Sequence, residues 1–207
     1  MKRKTINTLY IISVIVGAVM ILGMLISAFI PLSAPQNAKS QYFCNVKVFA
    51  LSLNIDVKNM SDETLYNIKG EYFYTFEDNL TMKDSEKNTI REMKDDYNFI
   101  TQNDQAIVNN DDTLYVMEGN FKFFGDSYKI FNSSKEQVAT LECNWTMTSC
   151  TLKDMQGNVM AEYNSRIFRK DYIISVYDGC TIDDESVLLM FASAVSDGRA
   201  DSSSSDN

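Results

Sequence analysis

The sequence predicts a mainly β fold, an antiparallel barrel or sandwich closed around one apolar helix and preceded by one transmembrane helix. Three observations lead there. Apolar and polar residues alternate with period two through most of the chain after position 40. One hairpin pattern recurs along it. Near the C-terminus, Val187 to Val195 is apolar on almost every side and must be buried all round. The chain has 207 residues, 45% of them hydrophobic and 12% aromatic, which makes one domain with a sizeable core.

From the N-terminus, no charged residue falls between Lys4 and Lys39, and Leu9 to Ile30 is apolar apart from Tyr10, Ser13 and Ser27. As a helix, that stretch spans roughly 33 Å, enough to cross a hydrocarbon core of ~30 Å. Lys2, Arg3 and Lys4 precede it, so the positive-inside rule puts the N-terminus in the cytoplasm and everything after about position 35 on the far side. A cleaved signal peptide would have a shorter apolar run and a small-x-small site; here Pro35 follows Ala34 and disfavours cleavage. The expected organisation is a basic N-terminus (1–8), a membrane span (9–31), a linker (32–40), a barrel domain (41–197) and a Ser/Asp tail (198–207) without structure. Leu9 to Ile30 thus makes the membrane the one expected partner.

Nineteen basic residues face twenty-eight acidic ones. Three of the basic residues precede position 5, so the remainder of the chain carries a net charge of −12. That sign argues against nucleic acid and against non-specific adhesion to anionic lipid. Four cysteines, Cys44, Cys143, Cys150 and Cys180, all follow the span and allow up to two disulfides in an oxidising compartment. Cys143 and Cys150 could pair across neighbouring strands; the alternative is four buried thiols. N-x-S/T triplets begin at Asn59, Asn79, Asn132 and Asn144, a weak glycosylation signal in so Asn-rich a chain.

Leu51, Leu53, Ile55 and Val57 alternate with polar residues as a half-buried strand does. Further strands are expected at 41–49, 64–68, 70–76, 79–83, 88–93, 97–101, 105–108, 113–117, 120–124, 127–131, 136–143, 148–153, 158–163 and 171–177. The repeat is explicit. Leu65-Tyr66-x-x-x-Gly70 returns as Leu114-Tyr115-x-x-x-Gly119, and Leu80 to Ser85 returns as Tyr128 to Ser133. A third partial copy runs Thr151 to Asp154, then Gln156-Gly157-Asn158. In each copy a strand meets an Asp or Asn, whose side chain can bond the backbone of the turn that follows. Asp183, Asp184 and Glu185 then open a helix by capping and charge–dipole attraction. Its residues Val187, Leu188, Leu189, Met190, Phe191, Ala192, Ala194 and Val195 have one natural place, inside the barrel.

This order of Asx-closed strand pairs, then Asp171-Tyr172-Ile173-Ile174-Ser175-Val176, an acidic start and a buried apolar helix ending Ser196-Asp197, resembles the LURP-one-related family over roughly residues 60–200. The family shares the tubby C-terminal-like fold with phospholipid scramblases. The resemblance implies a twelve-stranded antiparallel barrel threaded by the C-terminal helix. It does not carry a lipid site across. Members of the family usually lack an N-terminal anchor, and the basic candidates here, Arg166, Arg169 and Lys170, sit in a strongly acidic domain.

Chemistry is sparse. There is no histidine, which removes Ser-His-Asp and Cys-His catalysis and imidazole zinc sites. The acidic pairs Asp95-Asp96 and Asp111-Asp112 lack EF-hand spacing and read as solvated turns. No catalytic, cofactor-binding or metal-ligating residue is expected. Aromatics at Tyr72, Phe73, Tyr74, Phe76, Phe121, Phe123 and Phe124 read as core and cross-strand pairs, and Trp145 as a plug for the barrel end, with a binding contact as the alternative. The expected function is a non-enzymatic, single-pass binding or scaffolding module of unknown protein or lipid ligand. Scramblase-like lipid handling and an extracellular carbohydrate-active enzyme are the alternatives.

Overall fold

The computed structural model describes residues 14–18, 32, 35–47, 52–70, 79–95, 104–122, 125–166 and 171–204. Twelve strands close into one antiparallel barrel in which each strand pairs with its sequence neighbours and the last pairs with the first. They are β1 (Ala38–Val46), β2 (Asn54–Lys58), β3 (Thr64–Gly70), β4 (Leu80–Asp84), β5 (Thr89–Asp95) and β6 (Asp104–Asn109). The circuit continues through β7 (Asp112–Lys122), β8 (Gly125–Asn132), β9 (Gln137–Cys143), β10 (Ser149–Asp154), β11 (Val159–Ser165) and β12 (Asp171–Tyr177). The helix α1 (Asp184–Ser204) follows. Closure comes from β1 against β12, with Tyr42 opposite Ile174 and Cys44 opposite Tyr172. Closing the sheet leaves no unpaired strand edge among the described residues.

Inward positions follow the alternation. Ile55 and Val57, Leu80 and Met82, Leu141 and Ala139, and Cys150 and Leu152 are buried at alternate residues of their strands. They meet α1, of which ten consecutive residues, Ser186 to Val195, are no more than 3% exposed. Val187, Leu188, Leu189, Met190, Phe191 and Val195 therefore occupy the expected place. Burying six large apolar side chains contributes on the order of 10 kcal/mol. Phe191 lies 6.1 Å from the ring of Tyr163, which lies 4.7 Å from Tyr172. Ser193, also buried, hydrogen-bonds the side chain of Gln105 on β6, tying helix to wall by a polar contact.

Three expectations change. The segments 113–117 and 120–124 are one strand, β7, which runs through Gly119 without a turn. The barrel begins at Ala38, inside the expected linker. Residues 198–204 continue α1, where their composition predicts an unstructured tail; a helix already nucleated extends at little cost. Among the described residues, no helix is long and apolar enough to cross a membrane. The expected span 9–31 lies outside the described residues except for 14–18, which are helical. The segments 71–76 and 97–101 and the aromatics Tyr72, Phe73, Tyr74, Phe76, Phe123 and Phe124 also lie outside them, as does the side chain of Phe121.

Five hairpins share one five-residue turn. It runs from Asn59 to Glu63, Asp84 to Asn88, Asn132 to Glu136, Asn144 to Thr148 and Asp154 to Asn158. The first side chain accepts the backbone N–H of the fifth residue at 2.8–3.0 Å in every case. The fourth residue has positive φ: Asp62, Lys87, Lys135, Met147 and Gly157. First and fifth side chains then pair as amide donor and oxygen acceptor, Asn–Glu, Asp–Asn or Asn–Thr. Three of the four N-x-S/T triplets open such turns with their amides already bonded, so turn chemistry alone accounts for those triplets.

Candidate functional site

Residues Ser186 to Val195 of α1 fill the lumen. What remains are the two rims. In this meander the connections β2–β3, β4–β5, β6–β7, β8–β9 and β10–β11 lie at one end, with the start of β1 and the entry of α1. That end is the turn rim.

At the turn rim, the first turn of α1 is bolted to alternate strands. Asp183 caps the helix: its carboxylate accepts the backbone N–H of Ser186 at 3.0 Å and the Ser186 hydroxyl at 2.9 Å. Arg91 on β5 reaches Asp183 at 3.5 Å and the carbonyl of Ile90 at 2.9 Å. Tyr42 on β1 donates to Asp184 at 2.6 Å, and Tyr66 on β3 donates to Glu185 at 3.0 Å. Lys39 stands 3.8 Å from Asp184. Burial pushes the Tyr42 hydroxyl well up, with the bond to Asp184 adding to it. Tyr66 is pushed up to about 12 by burial and then by Glu185, and Tyr115 on β7 rises through burial and the charge of Asp183. None of these hydroxyls is a base at neutral pH. The acidic trio read from sequence as a helix start is that, and its partners Tyr42, Tyr66, Arg91 and Tyr115 were not anticipated. A signal existed: Tyr66 and Tyr115 hold the same place in the repeat.

Cys143 and Cys150 are bonded across β9 and β10, at directly opposed positions with Cα atoms 4.0 Å apart. Cys44 and Cys180 are free. Burial raises both thiols, although the Tyr172 hydroxyl partly offsets it at Cys44, so neither is an activated nucleophile. Among the described residues, no group of three or more Cys, Asp or Glu converges as a metal site would. A shallow pocket of about 210 Å³ opens beside Thr89, Ile90, Arg91, Glu92, Val108 and Asn110, with Glu92 already paired to Lys94 at 3.0 Å.

The opposite rim corrects one expectation. Trp145 does not plug the barrel. It is 76% exposed, at the second position of the β9–β10 turn, while Met147 of the same turn packs against the core. The turn geometry projects its second residue outward, and the disulfide at the base of the hairpin holds it there.

A family model described as LURP-one-related matches residues 40–194. The chain belongs to the LURP-one-related family. The X-ray structure of a protein from Arabidopsis thaliana is similar in fold, with a TM-score of 0.54 at 11% identity, covering 75% of this chain and 90% of that one. No curated protein matches the sequence.

Proposed function

We propose that this protein is a single-pass, membrane-anchored LURP-one-related barrel that acts as a binding or scaffolding module and not as an enzyme. The observation that carries the reading is Trp145: the chain's single tryptophan stands exposed on a disulfide-braced hairpin, while the lumen is filled. Tryptophan is over-represented among residues that dominate binding energy. The acidic groups Asp183, Asp184 and Glu185 at the turn rim are occupied by Arg91, Tyr42 and Tyr66. The anchor reading is supported by the uncharged apolar run from Leu9 to Ile30 and by Val14, Ile15 and Val16 within it, helical and 49–56% exposed. The cross-strand disulfide suits an extracytoplasmic barrel.

Scramblase-like lipid handling is the second reading, favoured by exposed Met60 and Met155 on the turn rim. A photo-cross-linking residue in place of Trp145, in intact cells expressing the full chain, is expected to give a discrete adduct that the same residue at exposed Lys129 does not. No difference between the two positions would remove the binding reading. Transfer of a fluorescent lipid between leaflets, above that in empty vesicles, would favour the second reading instead.

A further inference from the structure

The turn rim is asymmetric. The second position of the five-residue turn always points into solvent, and the turn itself does not need an apolar residue there, since Ser85 and Ser133 hold it on the β4–β5 and β8–β9 hairpins. Yet Met60 on β2–β3 is 57% exposed, Met155 on β10–β11 is 53% exposed, and Val159 beside it is 39% exposed. Isolated exposed apolar residues are ordinary, but these are not scattered. The barrel order places β12 and β1 between the two methionine hairpins. The apolar tips therefore flank the point where the chain enters β1, and the serine tips, with Asp111, lie on the far side of the rim.

Residues 32–37 join the expected span to β1, and six residues reach at most ~20 Å. Given the anchor reading, on which this inference rests, that side of the rim lies within reach of the bilayer. We propose that the Met60 and Met155 hairpins dock on the bilayer interface beside the anchor, tilting the barrel so that Ser85 and Ser133 stay in water and Trp145 faces away. The net charge of −12 suits a zwitterionic surface better than an anionic one.

The test uses the full chain in phosphatidylcholine vesicles carrying brominated acyl chains. With Trp145→Phe as background, Trp is placed singly as Met60→Trp, Met155→Trp or Ser133→Trp, and thermal unfolding verifies each fold. Trp at 60 and 155 is expected to be quenched at least about twofold more than Trp at 133 or native Trp145, as for side chains lodged 5–10 Å into the interface. Equal quenching at 60, 155 and 133 in protein that resists alkaline extraction overturns the docking and leaves the anchor standing. Release by alkaline extraction overturns both.

Discussion

At Asp184 a carboxylate that would be well solvated in open water instead accepts a hydroxyl from Tyr42, and Glu185 does the same with Tyr66. Such bonds hold the first turn of the helix in register with the wall. Removing one hydroxyl, as in Tyr66→Phe, should cost about 1 kcal/mol in urea denaturation. The pH dependence has a definite sign. Tyr66 and Tyr177 are pushed up to about 12 and Tyr42 also rises, the first cause in each case being burial. Unfolded tyrosine titrates near ~10, so the folded state holds these protons more tightly. Their stabilisation is complete below that value and is lost as pH rises toward 12. Unfolding midpoints should fall steeply over that window, less so in a Tyr66→Phe, Tyr177→Phe double variant. This mouth was not legible in sequence. Asp183, Asp184 and Glu185 announce a helix start, but which side chains meet them depends on the stagger of four strands that are far apart in the chain.

Among elements, α1 and the hairpin turns were the most legible, for opposite reasons. The helix shows itself because Val187 to Val195 has no polar face, and only a closed wall can surround such a rod. Phe191→Ala should therefore cost about 3–5 kcal/mol, read as a fall in urea midpoint. The turns show themselves through a first residue that must be Asp or Asn. Gly157, with φ of 87°, has nothing within contact distance of an added Cβ, so Gly157→Ala isolates the backbone cost at about 1 kcal/mol. In the Asp84 turn, the Asn88 side chain holds the aspartate carboxyl below its ordinary range. Exchanging the pair to Asp84→Asn with Asn88→Glu, the combination found at Asn132 and Glu136, should restore the unfolding midpoint that Asp84→Ala lowers. Strand boundaries were less legible. Gly119 looks like a turn residue, yet β7 passes through it, because the β7–β8 ladder continues on both sides of its pairing with Tyr128. At the matching repeat position, Gly70 donates its N–H to the Leu53 carbonyl at 2.9 Å, and a Cβ there would sit 3.2 Å from the Cβ of Leu53. The repeat thus marked close backbone approach at that copy.

For the whole molecule, antiparallel closure and the helix within it make one closed unit with two unlike rims. The family resemblance supplied the strand count of twelve, which period-two patterning alone split into more pieces. The disulfide stiffens only the hairpin that presents Trp145. Replacing both Cys143 and Cys150 by Ala should lower stability by about 2 kcal/mol, for so short a loop, while leaving the barrel folded by circular dichroism. Cys44 and Cys180 should remain titratable thiols in the unfolded protein, two per chain.

The proposed protein is a tethered barrel displayed beyond the cytoplasmic face of the membrane and working through its rims. Protease added to intact cells expressing the full chain with an epitope tag at each end tests it most directly. Loss of the C-terminal tag with survival of the N-terminal tag is the predicted result. Survival of the C-terminal tag until detergent is added would contradict it.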